Sequence, residues 1–286
     1  MAYAYKGKAI EGLLESYASD QSPFVTCTKL RFPKREFGME EERLLNEIFF
    51  PNCWNQGAIT ADAKKLGKKL NELGSAIHAG IAPHMEGRNR IVVDKAIDSL
   101  PKVRGLLKKD VDAAYKGDPA ARTYAEIVRS YPSLRVMIMH RFAHELYMLK
   151  VPSYPRELAE HAHSKTGIDI HPGAKVGEYF FIDHGTGVVI GETSELGEWA
   201  RLYQGVTLGV LHFEKEGQSG ILKKGYKRHP TLGNHVVAGA GAKILGPVTI
   251  GSKVNIGANS WVERDVPDNV TVFITEHPKL IIRKRA

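Results

Sequence analysis

Aliphatic or small residues recur at every sixth position through Leu232, Ala238, Ile244, Ile250, Ile256 and Val262. A helix repeats its apolar residues at three and four and a half-buried strand at two, so a strict period of six fits neither. It fits a parallel β-helix, in which short strands wind into triangular coils and each coil buries its inward side chains only against its neighbours. With three hexads to a turn, Leu232 stacks on Ile250, Ala238 on Ile256 and Ile244 on Val262. Carried toward the N-terminus, the same pattern selects Ile170, Val176, Ile182, Ile190, Leu196, Leu202 and Leu208 as inward positions.

Two faults interrupt the count. Ile182 and Ile190 are eight residues apart, so Asp183-His184-Gly185-Thr186-Gly187 must bulge from the coil by two residues. Between Leu208 and Leu232 an excursion rich in Gly and Lys leaves the solenoid and rejoins it at Arg228-His229-Pro230. Stacked coils have little reason to be interrupted unless the protrusion does something, and both interruptions carry a histidine. The ladder is expected to end near Pro267, followed by a short strand over Val270 to Ile274 and the basic tail Arg283-Lys284-Arg285.

Composition changes where the hexads begin. Seventeen glycines fall among the 119 positions from residue 168 onward, and the remaining 11 of the 28 are spread over the first 167. The earlier region carries amphipathic helical spacing at Glu40 to Phe50, Ala61 to Leu73 (with Thr60 as its N-cap), Val92 to Leu107, Ala120 to Ser130, Leu134 to Leu149 and Pro155 to Lys165. Asp118-Pro119 reads as the turn before the fourth of these. The expected fold is therefore α+β: an α-helical domain over 1–167, its first 38 or so residues an irregular arm, then a left-handed parallel β-helix over 168–267 with a protruding loop at 210–230. Residues 268–286 complete the chain as a strand and basic tail.

The formal charge of +8 invites a nucleic-acid reading. The surplus is mostly N-terminal, 26 basic against 20 acidic residues before position 168, and is interspersed with acids, which describes a solvated surface and no nucleic-acid partner. Cys27 and Cys53 are too few for a disulfide framework and stand in no metal-ligand spacing, so a reducing setting is expected. No stretch reaches the roughly 18 apolar residues of a membrane span, and no secretory leader is evident. A cytoplasmic protein without membrane attachment is expected.

His184 is the leading candidate for chemistry, because a loop imidazole that titrates near neutrality can accept a proton; a surface-loop histidine would read the same way. Asp169, one residue before the first inward position, could orient that imidazole, or could cap the first coil. Arg228 and His229 lie where the excursion rejoins the coil, and a guanidinium can grip a carboxylate through two parallel hydrogen bonds. Lys223, Lys224 and Lys227 beside them read equally as a solvated basic loop or as partners for the phosphates of a nucleotide-like cofactor. His140 and His144 have ligand-like spacing on a helix but no third ligand, so packing is expected of them; His161 and His163 show no recognisable partner. Phosphate-loop, HExxH and Rossmann motifs are absent.

Four segments together resemble the serine O-acetyltransferases: Asp169-Ile170-His171-Pro172-Gly173-Ala174, the run Ile182 to Thr193 (IDHGTGVVIGET), Gln204-Gly205-Val206-Thr207-Leu208-Gly209, and Arg228-His229-Pro230. The resemblance covers 169 to about 267 and extends weakly to Gly117-Asp118-Pro119-Ala120. It implies acetyl transfer from acetyl-CoA, a co-substrate and no permanently bound cofactor, to the hydroxyl of L-serine, the step that feeds cysteine synthesis. His184 would be the general base and Asp169 its partner, Arg228 and His229 would hold the serine carboxylate, and Asp118 and Asp183 its ammonium group. Gly209, Ala240 and Ala258 would let CoA approach the backbone. No metal is implied. Such solenoids assemble as homotrimers with active sites between subunits, in some cases paired into hexamers through the helical domains.

Two departures from the family pattern stand out. Val210-Leu211 and a longer insertion through Lys227 replace a short loop, which bears on the CoA contacts, and the tail ends in Arg283-Lys284-Arg285-Ala286 in place of the terminal Ile by which some members dock into cysteine synthase, so no tight complex of that kind is expected. The alternatives are an acetyltransferase acting on homoserine or a sugar hydroxyl, a zinc-dependent carbon dioxide hydratase using His184, His229 and His235, and a non-enzymatic scaffold. A neutral sugar would leave Arg228 without a carboxylate.

Overall fold

A computed structural model describes residues 9–19, 37–54, 56–85, 89–217 and 220–275. The helices among them are α1 (Ala9–Ser19), α2 (Met39–Phe49), α3 (Ala63–Ile81), α4 (Asn89–Asp98), α5 (Leu100–Gly117), α6 (Tyr124–Ser130), α7 (Pro132–Met148) and α8 (Tyr154–Thr166). Part of the stretch expected to be an irregular arm is thus helical, Phe37 at its end is buried in the core, and residues 1–8 and 20–36 lie outside the described residues.

Local chemistry moved several expected helix boundaries. The N-cap of α3 is Asp62 and not Thr60, because the Asp62 carboxylate accepts from the Lys64 and Lys65 amides at 3.0 Å each. The single helix expected over Val92 to Leu107 is two, α4 and α5. Pro101 lacks an N–H and its ring opposes the carbonyl four residues back, so a helix can start there but not run through. Asp118 closes the C-terminus of α5, and α6 starts later than expected, at Tyr124, where the Thr123 hydroxyl accepts from the Glu126 amide at 3.0 Å.

From Asp169 the chain winds into a parallel β-helix of three faces. Face one stacks β1 (Asp169–Ile170), β4 (Val189–Ile190), β7 (Thr207–Gly209), β10 (Lys243–Leu245) and β13 (Trp261–Val262). Face two stacks β2 (Lys175–Val176), β5 (Glu195–Leu196), β8 (Thr231–Leu232) and β11 (Thr249–Ile250). Face three stacks β3 (Phe181–Asp183), β6 (Arg201–Tyr203), β9 (Val237–Ala238), β12 (Asn255–Ile256) and β14 (Thr271–Val272). The pairings Leu232 with Ile250, Ala238 with Ile256 and Ile244 with Val262 all occur, as the hexad spacing requires. All the inward positions are buried except Val176, which is half-buried under the helical region.

The ladder runs beyond its expected end. Val266 bridges to Ile250 and β14 pairs with β12, so Pro267 marks a corner of the coil and not its termination. The basic tail lies outside the described residues. The excursion between β7 and β8 contains a short antiparallel hairpin, with Lys215 opposite Leu222.

A buried ion pair fastens helices to solenoid. Arg141 on α7 donates through Nε and Nη2 to the two carboxylate oxygens of Asp110 on α5, at 2.6 and 2.8 Å. The same guanidinium reaches the carbonyls of Val176 and Gly177, and Asp110 also accepts from the Phe180 amide at 3.0 Å. Both side chains are almost fully buried, and every contact they make crosses between α5, α7 and the first coil. Because Asp118 caps α5, this junction sets where its carboxylate stands above face three.

Candidate active site

Three edges separate the three faces, and the candidate residues divide between two of them. His184 follows β3 and precedes β4, so it stands on the edge between faces three and one. Arg228 and His229 precede β8, on the edge between faces one and two. His235, between β8 and β9, stands on the remaining edge and stacks on Trp199, with ring centroids 6.3 Å apart. His184, His229 and His235 therefore do not converge within the chain, which removes the geometric basis for a three-histidine zinc site in one subunit.

His184 is 74 % exposed and takes a left-handed conformation, φ 59°. That conformation alone says nothing of function: Tyr179, Trp199, His235, Lys253 and Asn269 have φ of 56–60° at a different edge, so it is the turn geometry of the coil. Its surroundings are more telling. Asp183 Oδ1 lies 3.8 Å from His184 Nε2, while Asp183 Oδ2 accepts from Arg201 Nη2 at 2.6 Å. The Arg201 guanidinium is itself held between the rings of Phe181 and Tyr203, 5.3 and 4.8 Å from their centroids.

Asp118 completes this group from the helical side. Its Oδ2 accepts from the Tyr131 hydroxyl at 2.5 Å and its Oδ1 from the Ala120 amide at 2.8 Å. The Tyr131 hydroxyl, then the Ala120 amide, hold the Asp118 carboxyl below the usual carboxylate range, with smaller contributions from the charges of Arg201 and His184. Burial and the Asp118 carboxylate push the Tyr131 phenol up, which keeps it a donor. Asp118 and Asp183 thus present two carboxylates beside His184.

Asp169 is not joined to His184. Its carboxylate faces Arg156 Nη1 at 3.6 Å and lies within ligand distance of Glu160 and His163. His163 pairs with Glu160 at 3.1 Å and His161 with Glu42 at 2.8 Å, so both histidines have partners that the sequence did not reveal. His140 and His144 pack as expected: the first is buried and the second meets the Pro172 carbonyl through Nδ1 at 2.8 Å.

On the other edge, the His229 ring lies over Gly191, where any side chain would overlap it. His229 Nδ1 accepts from the Thr193 amide at 3.1 Å and is 2.9 Å from the Thr193 hydroxyl. An accepting Nδ1 leaves the proton on Nε2. Burial, and then the neighbouring Arg228 charge, push the ring down to about 4, so it is neutral at physiological pH. Arg228 pairs with Glu192 through Nη2 and donates from its amide to the Thr193 hydroxyl at 3.0 Å. The pair offers a guanidinium and a neutral N–H donor, a combination suited to a carboxylate. Lys227 donates to the Thr193 carbonyl and Lys223 to Glu214, so two of the loop lysines are engaged within the chain.

Gly209 ends β7 at the Arg228 edge, whereas Ala240 and Ala258 lie on successive coils of the His184 edge, where the Asn259 amide donates to the Ala240 carbonyl at 2.8 Å. Tyr131, Arg201 and Glu192 escaped the sequence reading. Arg201 was accessible in principle, since stacking Ile182 on Leu202 puts Phe181 opposite Arg201. Tyr131 carries no such signal, because its meeting with Asp118 depends on helix packing.

Known proteins resemble this chain in both sequence and structure. The family described as bacterial transferase hexapeptide (six repeats) matches residues 229–264. A plasmid-encoded serine acetyltransferase of Synechococcus elongatus is 52 % identical over 169 residues, 59 % of this chain and 53 % of that protein. A serine acetyltransferase of Bacillus licheniformis is 47 % identical over 167 residues, covering 58 % of this chain and 73 % of that protein. Serine acetyltransferase isoform 3 of Entamoeba histolytica, solved in complex with cysteine, superposes with a TM-score of 0.76 at 42 % identity, covering 96 % of this chain and 93 % of that one. The chain spans 53 and 64 % of the length of the two Synechococcus relatives it matches. Identity at these levels, over nearly the whole of a solved relative, places the chain in the serine acetyltransferase family.

Proposed function

We propose that this protein transfers the acetyl group of acetyl-CoA to the hydroxyl of L-serine, releasing O-acetylserine and CoA, in the cytoplasm and without a resident cofactor. The observation that carries the reading is the charge pattern of the two edges. Asp118 and Asp183 beside His184 match an α-ammonium group, and Arg228 with the neutral His229 matches an α-carboxylate. An amino acid acceptor needs both, and a sugar needs neither.

The two half-sites stand on different edges of one prism, so a neighbouring copy completes each site. A cyclic homotrimer does this three times over, and its head-to-tail contacts close. The helical regions could join two such trimers. In the assembled site His184 takes the serine hydroxyl proton as the oxygen attacks the thioester carbonyl. The tetrahedral adduct collapses with cleavage of the C–S bond, and the imidazolium returns the proton to the CoA thiolate. Asp183 Oδ1 stands 3.8 Å from the His184 Nε2. Asp169 would take up the orienting role only by exchanging its Arg156 contact for His184. Gly209 from one copy, with Ala240 and Ala258 from the next, would line the CoA groove.

CoA release measured with serine, homoserine and no acceptor, side by side, tests the acceptor. Turnover that requires serine supports the reading, and a preference for homoserine overturns the assignment of serine. His184→Ala should abolish turnover at unchanged oligomer size; full activity would remove His184 from the chemistry.

A further inference from the structure

Arg228 does not stand alone on its edge, and the group that orients it belongs partly to the helical region. Its Nη2 is engaged by Glu192 Oε2, and Glu192 Oε1 accepts from the Tyr147 hydroxyl at 3.0 Å. Tyr147 projects from α7 and packs edge-on against His171, centroids 5.8 Å apart at 85°. The bridge needs room where α7 crosses the first coil, and Gly173 leaves it. A Cβ there would lie 3.0 Å from Tyr147 Cζ and 3.1 Å from Glu192 Cγ, tighter than either side chain tolerates without moving. Arg228 and Glu192 are 19 and 26 % exposed, so their pairing is sheltered from water but open on one side.

We propose that Glu192, clamped by Tyr147, is a positioning residue for the acceptor site: it fixes Arg228 through Nη2, beside a long Nη1 contact to the Tyr226 carbonyl at 3.4 Å, so that the donors left over face the acceptor carboxylate. This rests on the reading of Arg228 as the carboxylate ligand. A flexible arginine must lose side-chain freedom on binding, and an arginine already tied by one charge-assisted bond has lost it beforehand. Glu192 thus acts through Arg228 and not on the reacting atoms, and the helical region contributes to serine affinity at a point remote from Asp118.

The test compares L-serine with L-serinamide, whose neutral amide replaces the carboxylate, as acceptors for the full-length protein and for Glu192→Gln and Tyr147→Phe. Glu192→Gln should raise the KM for serine about tenfold with kcat changed less than about twofold, the effect expected on losing a charge-assisted hydrogen bond. Tyr147→Phe should raise it in the same direction by a smaller factor, and its shape-conserving change guards against a folding defect in the first variant. The KM for serinamide should stay within about twofold in both variants, because the amide makes no ionic contact with Arg228. Equal losses for both acceptors, or a lower KM for serine, would overturn the proposal. If the unmodified protein itself fails to prefer serine over serinamide, the reading of Arg228 falls, and that outcome is distinct from variants that lose affinity for both acceptors alike.

Discussion

Replacing Arg141 with Met should cost about 3–5 kcal/mol of stability, the range for removing one partner of a buried ion pair. The size follows from what stays behind. Asp110 would keep only the Phe180 amide, at 3.0 Å, after losing two charged donors, and the carbonyls of Val176 and Gly177 would lose theirs. Removing both charges with Asp110→Leu and Arg141→Met should recover much of the loss, since a buried pair replaced by apolar groups of similar volume is often near neutral. Urea unfolding of the unaltered protein, Arg141→Met, Asp110→Leu and the double variant, followed by far-ultraviolet circular dichroism at fixed protein concentration, gives the four free energies. The single variant should also impair serine binding, because α5 carries both Asp110 and Asp118, eight residues or about 12 Å apart along the helix axis. A cost below about 1 kcal/mol for Arg141→Met, or a double variant as unstable as the sum of the singles, would refute the account of this junction.

Further expectations follow from the same geometry. Asp183→Asn should lower kcat/KM for serine more than Asp169→Asn, because Asp183 is the carboxylate 3.8 Å from His184; the reverse order in initial-rate assays would show that Asp169 leaves Arg156 to serve His184. Gly191→Ala should weaken serine binding by displacing His229, with overpacking costing about 1–3 kcal/mol, and an unchanged KM would show that the ring can shift freely. Acid should destabilise the protein well before its carboxylates titrate. His229 is held near 4 when folded and near its ordinary value of about 6.5 when unfolded, so the unfolded chain binds the proton first. Its contribution is constant above about pH 6.5 and falls as pH drops toward 4, by up to about 3 kcal/mol. His140 and His171 are shifted in the same direction, chiefly by burial. Urea midpoints from pH 7 to 4.5 should fall less steeply in His229→Gln, and an unaltered slope would show that His229 takes up its proton while folded.

Much of this protein was legible as a string of letters because a solenoid is nearly one-dimensional. Each inward residue meets the one a coil away, so a period of six and three hexads to the turn suffice to pair Leu232 with Ile250 and Ala238 with Ile256. The faults in the period located His184 and Arg228-His229 for the same reason. Helix boundaries were less legible where caps and Pro101 compete over a residue or two.

What the sequence by itself determined is the β-helix, its bulge and excursion, and the candidate residues that those two faults single out. Only the tertiary structure decided that Asp183 and not Asp169 faces the imidazole, and that Tyr131, Arg201 and Glu192 hold the candidate ligands in place. Those facts depend on where a corner turns and on how α5 and α7 lie against the first coil. They are set by packing between segments far apart in the chain, which no local spacing records.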